Sequence, residues 1–144
     1  MIRIICVGKI KEAFYREAIF EYLKRMGKYH KVEIIEIMDS NIKEEGNLLL
    51  NKISNKEYNI VLDIQGKSMD SVSFANHLDK VFLSHSTINF IIGGSDGLDD
   101  RVKNLADMKL SFSSMTFPHQ LFRVILLEQI YRGFKILHHE SYHK

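Results

Sequence analysis

The sequence predicts an α/β protein: one domain, a mostly parallel sheet, helices on both faces. Three observations lead there. The 144 residues fit a single domain. Short apolar runs alternate along the chain with longer stretches of helical periodicity, as in consecutive β-α-β units. No repeat, low-complexity segment or linker breaks that alternation, and the only proline is Pro118.

Ile2 to Val7 is an apolar run with strand length, and Lys11 to Met26 carries an amphipathic helix. Lys31 to Met38 alternates polar and apolar residues, as a half-buried strand does. Asn41 to Ser54 reads as a helix despite Gly46. Tyr58 to Ile64 is a third strand. Asp70 to Ser84 is a helix, with Asp70 or Ser71 as its cap. Thr87 to Ile92 is the most apolar strand. Asp99 to Ala106 is a short helix and Lys109 to Phe112 a short fifth strand. Pro118 to Leu137 is a long helix with proline in its first turn, where the missing N–H costs nothing. His138 to Lys144 is a polar tail. In such a sheet ligands sit beyond the carboxyl ends of the strands. The loops after Ile64, Ile92 and Phe112 are therefore the expected site.

Composition narrows the function. Hydrophobic residues make up 45% and charged residues 26% of the chain, ordinary values for a globular protein. The single cysteine, Cys6, lies in an apolar strand and reads as a core thiol; one cysteine forms no internal disulfide, which suits a reducing compartment. No targeting signal and no apolar run of membrane-spanning length is visible, so a cytosolic location is expected. A net charge of +2 is too small for a protein that coats nucleic acid by charge alone. An RNA partner requires a local basic patch or charge pooled between subunits.

Two motifs mislead. Gly66-Lys67-Ser68 ends like a phosphate-binding loop, but Val61 stands where that motif needs its first glycine. The segment reads instead as a polar turn after a strand. His139-Glu140-Ser141-Tyr142-His143 matches the zinc-protease pattern, yet nothing downstream supplies a third ligand, so no metal is expected.

Three segments inform. Gly93-Gly94-Ser95-Asp96-Gly97-Leu98 follows a strand and precedes a helix; its glycines permit close backbone approach to a ligand, or simply a tight turn. Ser111 to Phe117 mixes hydroxyl and bulky apolar residues. It can offer backbone groups to an adenine edge between apolar faces, or serve as an edge strand and helix cap. In the last helix the first half is apolar nearly all round (Leu121, Phe122, Val124 to Leu127), so it lies deep in the core or between subunits. Arg123 falls in an apolar stripe with Leu127, Ile130 and Phe134 and requires an anionic partner, structural or RNA phosphate. From Pro118 onward the chain gathers Arg123, Arg132, Lys135, Lys144 and the histidines His119, His138, His139 and His143.

Together these residues resemble the ribosomal RNA large-subunit methyltransferase H family of the SPOUT, or α/β-knot, superfamily. The resemblance runs end to end. It rests on Ile2 to Lys9, Leu62-Asp63-Ile64-Gln65-Gly66-Lys67, Gly93 to Leu98, Ser111 to His119, Arg123, Tyr131-Arg132 and Tyr142-His143-Lys144. It implies a C-terminal trefoil knot, a homodimer, bound S-adenosylmethionine, and methylation of N3 of a pseudouridine in 23S rRNA on the ribosome. It places cofactor contacts on Leu62, Gly93, Phe112, Ser113, Ser114, Met115, Thr116 and Phe117. Tyr142, His143 and Arg123 are the expected catalytic residues, and His119, Arg132 and Lys144 the expected substrate contacts. The competing expectation is a catalytically inactive RNA-binding or ribosome-assembly protein of the same fold, which bound cofactor and methyl transfer would distinguish.

Overall fold

The computed structural model describes residues 1–144. Its order is β1 (Ile2–Val7), α1 (Ala13–Met26), β2 (Val32–Ile37), α2 (Ile42–Leu50), β3 (Tyr58–Ser68), α3 (Ser71–Phe82), β4 (Ile88–Ile92), α4 (Asp100–Leu105), β5 (Met108–Ser111) and α5 (His119–Leu137). The five strands form one sheet in the order β2-β1-β4-β3-β5, every pair parallel.

Alternation along the strands assigns the two faces. Ile2, Ile4, Cys6, Ile60, Ile88, Phe90 and Ile92 face α1, α3 and α5, where they meet Ile19, Phe74, Leu78, Leu126 and Ile130. Ile5, Val7, Val61 and Ile91 face the short helices α2 and α4 through Leu49 and Val102. Burial pushes the Cys6 thiol up to about 12, so it is an inert core group. Toward the amino ends of the strands the second face turns polar. There buried Asn89 donates to Asn59 at 2.9 Å and to Glu57 at 3.0 Å, and Glu57 also accepts from Arg3.

Local chemistry sets the helix starts. Asp70 accepts from the Ser73 N–H at 2.7 Å, Asn41 from Glu44 at 2.9 Å, and Asp99 from Arg101 at 2.8 Å. Each satisfies an amide that the helix leaves unpaired. No helix is long and apolar enough to cross a membrane.

One expectation is corrected here. Gly66-Lys67-Ser68 is not a turn: β3 makes an excursion after Leu62 and returns, Lys67 and Ser68 pairing with Leu110 and Ser111. Gly66 permits it, since a Cβ there would lie 2.7 Å from the Lys109 carbonyl. The polar tail packs onto the body of the protein. The Tyr142 ring stacks edge-on against Tyr131 at 4.9 Å, beneath the Arg132 guanidinium at 4.8 Å. Glu140 accepts from the Tyr29 hydroxyl at 2.7 Å and from Lys135 at 2.9 Å, tying the tail to α1 and α5.

Candidate active site

The middle of β3, where its excursion begins, and the carboxyl ends of β4 and β5 open into a cleft of about 420 Å³. That volume lies within the roughly 300–1,000 Å³ of ordinary small-ligand sites. Leu62 and Asp63 form one side, Ile92 and the turn Gly93 to Leu98 a second, and Leu110 with Phe112 to Phe117 a third; His119, Phe122 and Lys103 complete it.

The glycine turn is shaped by its own packing. A Cβ on Gly93 would lie 2.9 Å from the Gly97 carbonyl oxygen and 2.9 Å from Leu98, so Gly93 is required by the turn itself. Gly97 has a φ of 91°, a left-handed conformation suited to glycine. The third wall is held by hydroxyls. Ser111 donates to the Ser113 carbonyl at 3.1 Å, and the Ser113 hydroxyl accepts from the Met115 N–H at 2.9 Å. The Phe112 ring packs against Phe122 at 5.0 Å and Phe74 at 6.2 Å, anchoring the loop to the core, while Met115 is exposed.

Charge in the cleft is sparse. Asp63 accepts from the Gln65 N–H at 3.0 Å and faces the Lys103 ammonium at 3.8 Å. His119 opens α5. Burial, then the nearby Arg123 charge, holds its imidazole below the ordinary histidine value. Behind the glycine turn, Glu45 is buried beneath Gly94 and accepts from the Ser40 N–H at 2.8 Å; burial raises its carboxyl.

The cleft thus gathers Leu62, Gly93, Phe112, Ser113, Met115, Thr116, Phe117 and His119. Ser114 lies in the same loop but does not line it. Arg123 does not reach it. Its guanidinium is fully enclosed, donating to Glu36 at 2.7 Å and to the Val7 and Gly8 carbonyls at 2.9 and 2.7 Å. It therefore pins the end of β1 beneath His119. Arg132, Tyr142 and His143 form a separate group near the other end of α5, with Arg132 Nη1 3.2 Å from His143 Nδ1. About 18 Å of helix separates His119 from the level of Tyr131. Asp63, Ile92 and Lys103 line the cleft although none was assigned a contact; Asp63 and Ile92 lie beside the loops expected to form the site, and no signal in the sequence points to Lys103.

His139-Glu140-Ser141-Tyr142-His143 does not form a metal site of the protease kind. That motif needs both histidines on one helix face, whereas α5 ends at Leu137, His139 has a φ of 54°, and Glu140 is engaged by Tyr29 and Lys135.

A parallel sheet with a glycine turn after β4, a structured loop after β5 and a final helix packed across one face is the architecture of the SPOUT methyltransferases. The tRNA (m1G37) methyltransferase from Aquifex aeolicus matches with a TM-score of 0.55 at 18% identity, over 91% of this chain and 69% of that one. The SpoU methyltransferase AviRb from Streptomyces viridochromogenes, solved with the cofactor AdoMet, matches with a TM-score of 0.50 at 10% identity, over 92% of this chain and 57% of that one. At such identities the likeness shows the fold alone. The sequence goes further: a family model described as "Predicted SPOUT methyltransferase" matches residues 1–143. The proteins named ribosomal RNA large subunit methyltransferase H are 51% identical in Clostridium botulinum strain Hall and 49% in Clostridium beijerinckii, each alignment covering 99% of both chains. This chain belongs to the SPOUT methyltransferase family, and within it to the group of those large-subunit rRNA methyltransferases.

Proposed function

We propose that this chain is an S-adenosylmethionine-dependent methyltransferase of large-subunit ribosomal RNA that acts on N3 of a pseudouridine in 23S rRNA. The observation that carries the reading is the cleft, where Leu62, the Gly93 to Leu98 turn and the Phe112 to Phe117 loop converge on one volume of cofactor size. Apolar side chains from Leu62, Ile92 and Phe122 suit the faces of an adenine, and backbone groups of the two loops suit its edge. When bound, the cofactor supplies an electrophilic methyl group on a sulfonium. The protein's contribution is alignment in a site shielded from water, which accounts for much of the rate of an in-line displacement. No step requires a metal.

The substrate side is assigned to Tyr142, His143, Lys144, Arg132 and His119. Tyr142 is suited to stacking on the target base, and Arg132 and Lys144 to holding phosphate. None of the first four lines the cleft of its own chain, and Tyr142 is packed on Tyr131 and beneath Arg132. A homodimer resolves this, with one subunit's tail closing its partner's cleft. Phe14 and Phe20, 62% and 68% exposed on α1, and the half-buried Leu121, Val124 and Ile125 of α5 offer apolar surface for such an association. Arg123 acts as a positioning residue through Gly8 rather than as a group that touches substrate. The trefoil knot belongs to the same reading; it is supported by the family relationship and by α5 packing on both α1 and α3 after β5 has paired with β3. A cytoplasmic location follows from a ribosomal substrate.

Labelled methyl transfer to ribosomes from a strain lacking the modification tests the proposal, with the modified nucleotide located by mass spectrometry. The expected result is one labelled methyl on N3 of a single 23S pseudouridine, together with stoichiometric cofactor binding by calorimetry. Cofactor binding without transfer to any ribosomal particle would leave an RNA-binding relative instead.

A further inference from the structure

The reaction requires a proton acceptor, because the imide N3–H of the target base must be lost as the methyl arrives. Resting on the methyltransferase reading above, we infer that His119 is the group that takes this proton. Four titratable side chains line the cleft: Asp63, Asp96, Lys103 and His119. Lys103 is a cation and accepts nothing. Asp63 is occupied by the Gln65 N–H and the Lys103 ammonium. Asp96 sits exposed at the tip of the glycine turn. A solvated carboxylate is also a poor match to a weakly acidic imide, since a general base works best with a pKa near the working pH. His119 alone combines a half-buried position at the mouth of the cleft with a base of suitable strength.

Its surroundings keep it unprotonated. The Arg123 guanidinium lies one turn on along α5, locked to Glu36 of β2 and to the carbonyls that end β1. Lys11, after β1, opposes a proton on the ring, and Asp39, after β2, favours one; burial and Arg123 outweigh Asp39. Gly8 turns the chain beside the ring with a φ of 87°, and a Cβ there would lie 4.0 Å from His119 Nε2, an ordinary contact distance, so the end of β1 borders the imidazole. The neighbouring Gln120 is held by the Lys11 N–H at 3.2 Å, fixing the start of α5 and with it the imidazole. The other candidates fit less well. Arg123 is enclosed and permanently charged. His143 shares its Nδ1 with Arg132, at 3.2 Å.

The step balances as follows. The N3–H bond breaks and its proton passes to a free imidazole nitrogen of His119. The electron pair left on N3 forms the N–CH3 bond. The pair of the breaking C–S bond returns to sulfur, which leaves as a neutral thioether, and the imidazolium later gives its proton to water.

The test compares the wild type with His119→Gln and His143→Gln in kcat/KM for undermethylated ribosomes across pH. Wild-type activity should rise with pH through a midpoint below about 6.5, the ordinary histidine value. His119→Gln should lose that limb, fall by roughly 10²–10⁴-fold at neutral pH, and recover about tenfold per pH unit as hydroxide replaces the base. His143→Gln should keep the limb. Independently of activity, the His119 ring resonance in the free protein should titrate below about 6.5. The inference is overturned if His119→Gln retains the acid limb, if His143→Gln removes it, or if His119 titrates above neutrality. His119→Asn provides the same comparison should the glutamine variant fail to fold. Absence of methyl transfer by the wild type would count against the proposed function and is thus distinguishable.

Discussion

At the scale of single residues, Arg123 shows how an ambiguous signal resolves. Its place in an apolar stripe demands an anion, which a structural ion pair or RNA phosphate would equally supply. The fold supplies Glu36 at 2.7 Å and two backbone carbonyls, so the charge is consumed inside the chain. Replacing Arg123 by methionine should lower stability in urea by about 3 kcal/mol, the lower end for breaking a buried pair, because Glu36 is 35% exposed and returns partly to water. A loss below about 0.5 kcal/mol, the range of ordinary surface changes, would mean the pair is dispensable. Glu140 makes a second residue-scale prediction. Hydrogen bonds from Tyr29 and Lys135 hold its carboxyl at about 2, below the ordinary 4.5. A carboxylate depressed in the folded state stabilises it at higher pH and loses that contribution as pH falls from about 4.5 toward 2. The melting temperature of Glu140→Gln should therefore fall less steeply over that interval than that of the wild type. Parallel curves would show that the contact contributes nothing.

At the scale of elements, α5 carries most of the molecule's organisation. Its near-continuous apolar surface allowed two readings, core or subunit boundary. The structure supports the first within one chain, since no residue of α5 is fully exposed and α1 and α3 flank it. Gly133 lies on its α3 side, where a Cβ would sit 3.6 Å from Ala75, an ordinary contact distance. Gly133→Ala should accordingly raise stability by about 0.5–1 kcal/mol, the usual helix-propensity gain. Gly133→Val should lower it by about 1–3 kcal/mol through overpacking against Ala75 and Leu78. Equal effects of the two substitutions would disprove the close α3–α5 approach. The elements themselves were legible in the sequence. β1 matches its predicted bounds, and the others differ mainly at their ends. β3 is the exception: it runs on through Gly66 to Ser68 because β5 offers a second register to pair with. No local pattern reveals a partner strand more than forty residues away in sequence.

At the scale of the whole molecule, the decisive relation is between the cleft and the tail. Light scattering should give a mass about twice the 16.8 kDa of one chain; a stable monomer at micromolar concentration would remove the route by which a tail reaches a cleft. Removal of Tyr142, His143 and Lys144 should abolish methyl transfer while calorimetric cofactor binding and the dimer persist. The truncation is not silent in stability. Tyr142 packs on Tyr131 and beneath Arg132, and such aromatic contacts contribute roughly 0.5–1.5 kcal/mol. Wild-type turnover by the truncated protein would reduce the tail to a structural clasp, and loss of cofactor binding would make it part of the cofactor's own wall.

By itself the sequence determined the alternating α/β order, the buried strands and the helix starts. These depend on periodicity and on side chains within a few residues of one another, such as Asp70 with Ser73. It also marked the two loops that line the cleft, because strand ends followed by glycine or hydroxyl-rich runs are local features. Only the tertiary structure decided which charges are free to act. Glu36 lies far from Arg123 in sequence and Tyr29 far from Glu140, yet they are hydrogen-bonded in space. Likewise only the fold set His119 in the cleft and His143 against Arg132. Histidine, arginine and glutamate look alike in a string whether solvated, paired or poised. Burial and partner distance assign their roles, and both are properties of the packed chain.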